Sequence, residues 1–89
     1  MRPLIDEFLR ELADGRQLSA HTVAAYRRDL GELTGFLETY FQSDEWEWSR
    51  VDRNALRRFL GHLANQRLAR RTIARRLSAV RSFFRFLHR

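Results

Sequence analysis

Apolar positions along the 89-residue chain recur at intervals of three and four, the period of an α-helix packed along one face. Ile5, Phe8, Leu9 and Leu12 form the first such stripe, which Gly15 can end. Val23, Tyr26, Leu30, Leu33, Leu37 and Tyr40 form a longer one behind Ser19, and Leu56, Phe59, Leu60 and Leu63 follow Asp52, a good N-cap. Ile73, Leu77, Val80, Phe84 and Leu87 line a fourth stripe. Phe83 and Phe86 widen it beyond what a lone helix would expose, so this edge is expected to meet another helix or another domain. No alternating Val/Ile/Thr-rich run is present, and the single proline, Pro3, sits where a first helical turn tolerates it. The pattern predicts one all-α domain over 1–89, with four helices at about 3–14, 20–41, 53–66 and 70–88.

Gly31 and Gly35 fall inside the second helix and each weakens it by about 1 kcal/mol, which points to a close neighbour or a bend there. Between the second and third helices lies the polar, acidic stretch Gln42–Arg50, where at least one of Trp46 and Trp48 is expected to plug the core. Three helix starts share a hydrophobic staple: Leu18 with Val23, Val51 with Leu56 and Leu68 with Ile73, around the expected caps Ser19, Asp52 and Ala69. Two of these starts are near copies, Leu18-Ser19-Ala20-His21-Thr22-Val23 and Leu68-Ala69-Arg70-Arg71-Thr72-Ile73. They imply two helix openings of one shape, each with a threonine on its first turn.

Charge sharpens this picture. Residues 1–52 hold six arginines and all 11 carboxylates, a balance of −5, whereas residues 53–89 hold 11 arginines and no carboxylate. A one-signed surface of that kind concentrates polyanions, which makes nucleic acid the first partner to consider. All 17 basic residues are arginine. Codon usage in a GC-rich genome produces that bias, and guanidinium also suits bidentate phosphate and guanine contacts. With no cysteine, neither a disulfide framework nor a thiolate metal site is possible. Apolar runs are too short for a membrane span and no signal peptide is visible, so a cytoplasmic protein without membrane contact is expected.

Helix N-termini offer unpaired backbone N–H groups and partial positive charge, which suit phosphate. On the second helix His21, Ala25, Arg28 and Glu32 lie opposite the apolar stripe, with Thr22 beside them. On the fourth, Arg71, Arg75, Ser78 and Ser82 do the same, with Thr72 and Arg76 at the edges. Two first turns presented in this way fit a major groove and its flanking backbone. Each has a plainer alternative: outward arginines are commonly just solvated, and first-turn threonines commonly bond backbone. Arg57, Arg58, Arg67, Arg81 and Arg85 read as general electrostatics or as partners for the acidic first half. His21, His62 and His88 are too scattered for a metal site and read as surface residues; no cofactor is implied. Tyr26 and Tyr40 fall on the apolar stripe, and no nucleophile–base set or glycine-rich phosphate loop is evident, so the chain by itself reads as non-enzymatic.

Two stretches carry a resemblance. Leu18-Ser19-x-x-Thr22-x-x-x-Tyr26-Arg27-Arg28-Asp29-Leu30, followed at the right distance by Arg70-Arg71-Thr72-Ile73-Ala74-Arg75-Arg76-Leu77-Ser78-Ala79-Val80-Arg81-Ser82-Phe83-Phe84-Arg85-Phe86-Leu87, resembles the N-terminal core-binding domain of tyrosine recombinases of the Xer and phage-integrase type. The likeness runs from about Leu4 to Leu87. It implies a SAM-like bundle of four helices forming half of a clamp on double-stranded DNA, its second and fourth helices addressing the major groove. Carried over by position, the DNA contacts would be His21, Thr22, Ala25 and Arg28, then Arg71, Thr72 and Arg75, with Arg76 at their edge. Ala69 departs from the serine often found in the family. The resemblance also implies a catalytic domain of the same parent chain after Arg89, and other recombinase protomers as partners in a synapse. Two rival readings are a helical protein–protein interaction module, using the acidic half or the Phe83/Phe86 edge, and a stand-alone regulator with a helix-turn-helix reader. The second fits poorly, because the two candidate helices are separated by a whole helix and a connector.

Overall fold

The structure, a computed structural model describing residues 2–89, consists of α1 (Arg2–Asp14), α2 (Ala20–Phe41), α3 (Arg53–Ala64) and α4 (Arg70–Leu87), with a single 3₁₀ turn at Trp48–Arg50 before α3. No strand occurs among the described residues, and the arrangement is consistent with a SAM-like helical bundle. Helix α2 is central, touching α1, α3 and α4, while α1 also reaches α4. No helix is long and apolar enough to cross a membrane.

Local chemistry sets the helix limits. Ser19, in extended backbone, accepts the Thr22 N–H at 3.2 Å and starts α2. Asp52 does the same for α3, taking the Ala55 N–H at 2.9 Å. Ala69 occupies the matching position before α4 and has no oxygen to offer, so α4 starts without a side-chain cap. Helix α3 stops two residues short of the expected 66, because Asn65 and Gln66 bond back to Gly61 and Leu63. After α1, α2 and α3, though not after α4, a non-glycine residue adopts the left-handed conformation: Gln17, Gln42 and Arg67, with φ of 54°, 56° and 54°. L-residues are disfavoured there, so each exit stores some strain that the packing around it must offset.

The core joins Ile5, Phe8, Leu9 and Leu12 of α1 to Leu30, Leu33 and Leu37 of α2, Ala55, Phe59 and Leu63 of α3, and Val80, Phe83 and Phe86 of α4. Both tryptophans of the connector enter it. Trp46 and Trp48 meet edge to face at 4.8 Å, and Trp48 meets Phe83 at the same distance. Neither indole N–H finds an acceptor among the described residues, so both rings act as apolar bulk.

Several expected faces are rotated. Phe83 and Phe86 do meet another helix, packing on Phe8 of α1 at 5.5 and 5.4 Å, and their burial leaves no apolar edge there for a separate partner. Phe84 and Leu87, expected inward, are only half-buried. On α3 the inward positions are Ala55, Phe59 and Leu63, whereas Leu60 is 47% exposed. Tyr40, expected in the core, lies at the surface. His62, expected at the surface, is half-buried against Phe36 at 5.1 Å. Gly31 and Gly35 meet no neighbour at all: a Cβ on either would have open space. The expectation of close approach at these glycines is therefore wrong.

Candidate nucleic-acid interface

The first turns of α2 and α4 are exposed, but they are built differently. In α2 the Ser19 and Thr22 hydroxyls lie 3.0 Å apart, so Thr22 completes the cap. In α4 Ala69 removes that partner and leaves the half-buried Thr72 without it. His21, Arg28 and Arg71 are exposed and, among the described residues, meet no carboxylate.

Ala25 is a correction. It is 9% exposed, not outward, because it lies one turn before Asp29 on the flank that faces α4. Asp29 is wholly buried and anchors the seam between the two helices. Arg75 donates to it twice, Nε to Oδ2 and Nη2 to Oδ1, both at 2.9 Å. Arg76 brings Nε within 3.3 Å of Oδ1, an ion-pair contact without hydrogen-bond geometry, and donates to Glu32 at 3.2 Å. Gln66 accepts a further, longer bond from Arg76 at 3.4 Å. The Asp29 carboxylate holds the Arg75 guanidinium above its ordinary pKa, chiefly through the hydrogen bond, with the charge attraction adding to it against desolvation.

Arg75, expected outward, and Arg76, expected at the edge of that face, thus form an ion-pair seam. Arg76 keeps 14% of its side chain exposed, and Arg75 keeps 37%. Nor are the arginines that answer the acidic half the expected ones. Arg75, Arg76 and Arg89 pair with Asp29, Glu32, Glu7 and Glu11, whereas Arg57, Arg58, Arg67, Arg81 and Arg85 form no ion pair among the described residues. Asp29 is the residue that periodicity missed. Its signal was present: an acidic side chain three after Tyr26 and four before Leu33, on the inward face of α2.

The seam lies within a few turns of both starts. Asp29 is nine residues into α2 and Arg75 five into α4, so the contact sits about 13 Å and about 8 Å from the respective first turns. Both exposed starts thus belong to helices joined to one another through a buried carboxylate. That arrangement leaves the unpaired cations Arg28 and Arg71 and the N–H groups of the uncapped α4 start for an anionic ligand. It offers no metal site, since no three of His, Cys, Asp and Glu come together as ligands among the described residues.

Comparison with known proteins agrees with the residue pattern. Tyrosine recombinase XerC of Roseiflexus sp. (strain RS-1) is 41% identical over 87 residues, 98% of this chain and 27% of the relative. Tyrosine recombinase XerC of Pseudomonas aeruginosa (strain LESB58) is 40% identical over 89 residues, 100% of this chain and 28% of the relative. That of Herpetosiphon aurantiacus is 39% identical over 87 residues, 98% of this chain and 28% of the relative. The chain thus spans between a quarter and a third of the length of these curated relatives. No solved structure matches it. The family described as phage integrase, N-terminal SAM-like domain, matches residues 5–89, and the chain belongs to that family.

Proposed function

We propose that this chain is the DNA-binding module of a site-specific tyrosine recombinase, lying on duplex DNA through the opening turns of α2 and α4 and positioning a catalytic domain of the same parent chain. The observation that carries this is the pair of exposed helix starts bearing His21 and Arg71, with Arg28 exposed two turns along α2, all three without carboxylate partners among the described residues, in a chain whose relatives are named tyrosine recombinases. Arg71 on the first turn of α4 and Arg28, two turns into α2, supply phosphate contacts, while His21 and Thr22 sit on the first turn of α2 and Thr72 beside Arg71. Ala25 serves as a spacer that lets α4 approach, since its side chain is buried. Strand cleavage belongs to the catalytic domain, and further recombinase protomers are partners in the assembled synapse. A cytoplasmic location goes with that role.

Binding by the module alone is weak and steeply salt-dependent, because neutralised phosphates release their counterions. Titrating a labelled duplex at about 50 mM and about 200 mM salt tests this. Arg71→Ala should weaken binding to all sequences alike and reduce the salt slope by about one. A slope near zero, or an unchanged titration for Arg71→Ala, would exclude the assignment. Association that ignores salt and needs no DNA would favour a protein-interaction module instead.

A further inference from the structure

The seam between α2 and α4 does more than join two helices. Arg75 presents the Nε/Nη2 side of its guanidinium to Asp29, with both bonds at 2.9 Å. Asp29 is fully buried, and Arg75 is more than a third exposed. A planar fork held on one side by an immobile carboxylate can neither rotate nor swing. Its unused edge is the end-on one, with an N–H on each of Nη1 and Nη2.

That edge has a preferred ligand. Two parallel N–H donors match the adjacent O6 and N7 acceptors of guanine in the major groove, whereas adenine sets an amino donor against one of them. A phosphate can also take that fork, but its binding gains most from net positive charge, which the unpaired Arg28 and Arg71 supply better. Around Arg75 the charges cancel, since Asp29 and Glu32 face Arg75 and Arg76. A neutral cluster adds little to general attraction but gives a directional contact at small entropic cost. We propose that Arg75 reads a guanine and that Asp29 is its positioning residue, so that this module contributes sequence preference as well as affinity. This rests on the placement of α4 at the groove proposed above.

The test is a selection from randomised duplexes at low salt with the 89-residue chain, followed by replacement of each enriched guanine by 7-deazaguanine, which lacks N7. At one guanine, the replacement should weaken wild-type binding about fivefold or more. Arg75→Lys keeps the charge and loses the fork, so its binding to that duplex should change less than about twofold on the same replacement. Arg71→Ala should keep the preference and lose affinity uniformly. Asp29→Asn should blunt the preference while keeping most non-specific binding. If it fails to fold in a thermal melt, Arg75→Lys with 7-deazaguanine still decides. No enriched guanine, or a sensitivity that survives in Arg75→Lys, would overturn the inference while leaving DNA binding intact. Failure to retain any duplex would instead remove the proposed function, and this inference with it.

Discussion

Asp29 and Arg75, 46 positions apart in sequence, share two hydrogen bonds of 2.9 Å across the seam between α2 and α4. Arg76 crowds the same carboxylate from the neighbouring position at 3.3 Å. A wholly buried anion between two arginines is costly to leave half-made, because removing one partner strands the others. Asp29→Ala is expected to destabilise the domain by about 3 kcal/mol, towards the low end for a buried pair because Arg75 can still reach water. By contrast, Asp6→Asn, which breaks the exposed Arg27–Asp6 pair, should cost under about 1 kcal/mol. Urea unfolding of the two variants measures the difference, and equal losses would contradict the contrast.

The same seam has a defined pH behaviour. Arg75 is a cation whose folded pKa lies above its ordinary value. Its stabilisation is therefore fully present below the unfolded pKa and is lost only as pH rises through the folded one. Unfolding free energies of the wild type and of Arg75→Met should differ by a constant amount between about pH 7 and about pH 11, since arginine stays protonated throughout. A difference that shrinks within that window would mean another group carries the effect.

Two glycines in the middle of α2 give up helix stability for nothing visible in the packing. A Cβ at Gly31 or Gly35 meets no atom, and neither residue has a positive φ. Gly31→Ala and Gly35→Ala should each stabilise by about 0.5–1 kcal/mol. In a domain of this size a gain of that order raises Tm by about 4 °C, readable by circular dichroism. Gly15→Ala should do the opposite, because its Cβ would come within 2.9 Å of the Glu11 carbonyl oxygen.

Core truncation separates the observed helix faces from the expected ones. Phe83 touches Phe8, Trp48 and Phe86 and is fully buried. Phe83→Ala should cost about 3–5 kcal/mol, enough to leave the domain barely folded. Leu60→Ala, at a position 47% exposed, should change stability by less than about 0.5 kcal/mol. Reversal of that order in chemical denaturation would mean that the faces of α3 and α4 have been misplaced.

Helix number, order and limits were legible because Ser19, Asp52 and Gly15 are local signals, acting within a turn of the residue that carries them. That at least one of Trp46 and Trp48 is buried was legible from their bulk in a polar stretch; that both are was not. Which side of α4 faces inward was not. Its apolar residues cover most of the circumference, and α1 and Trp48 select Phe83 and Phe86 over Phe84 and Leu87. The candidate site was half legible. His21, Arg28 and Arg71 lie outward as the helical wheel has them, yet Ala25 is buried and Arg75 and Arg76 are tethered. Those departures have one origin, a long-range carboxylate partner that no short-range rule connects to α4. Exposure of Leu60 and Tyr40 likewise depends on where neighbouring helices stop covering them.

Both indoles of the molecule stand edge to face in the link between α2 and α3, deep inside, Trp48 against the aromatic rings of α4 and Trp46 against Phe41. The protein thereby carries its own optical gauge. Blue-shifted emission should report an intact interior, and it should move red the moment that link peels away. Because Ala20 and Arg70, where a ligand is proposed to settle, open separate helices outside this aromatic stack, a titration can be followed on a labelled duplex while the intrinsic light vouches that the scaffold has not melted.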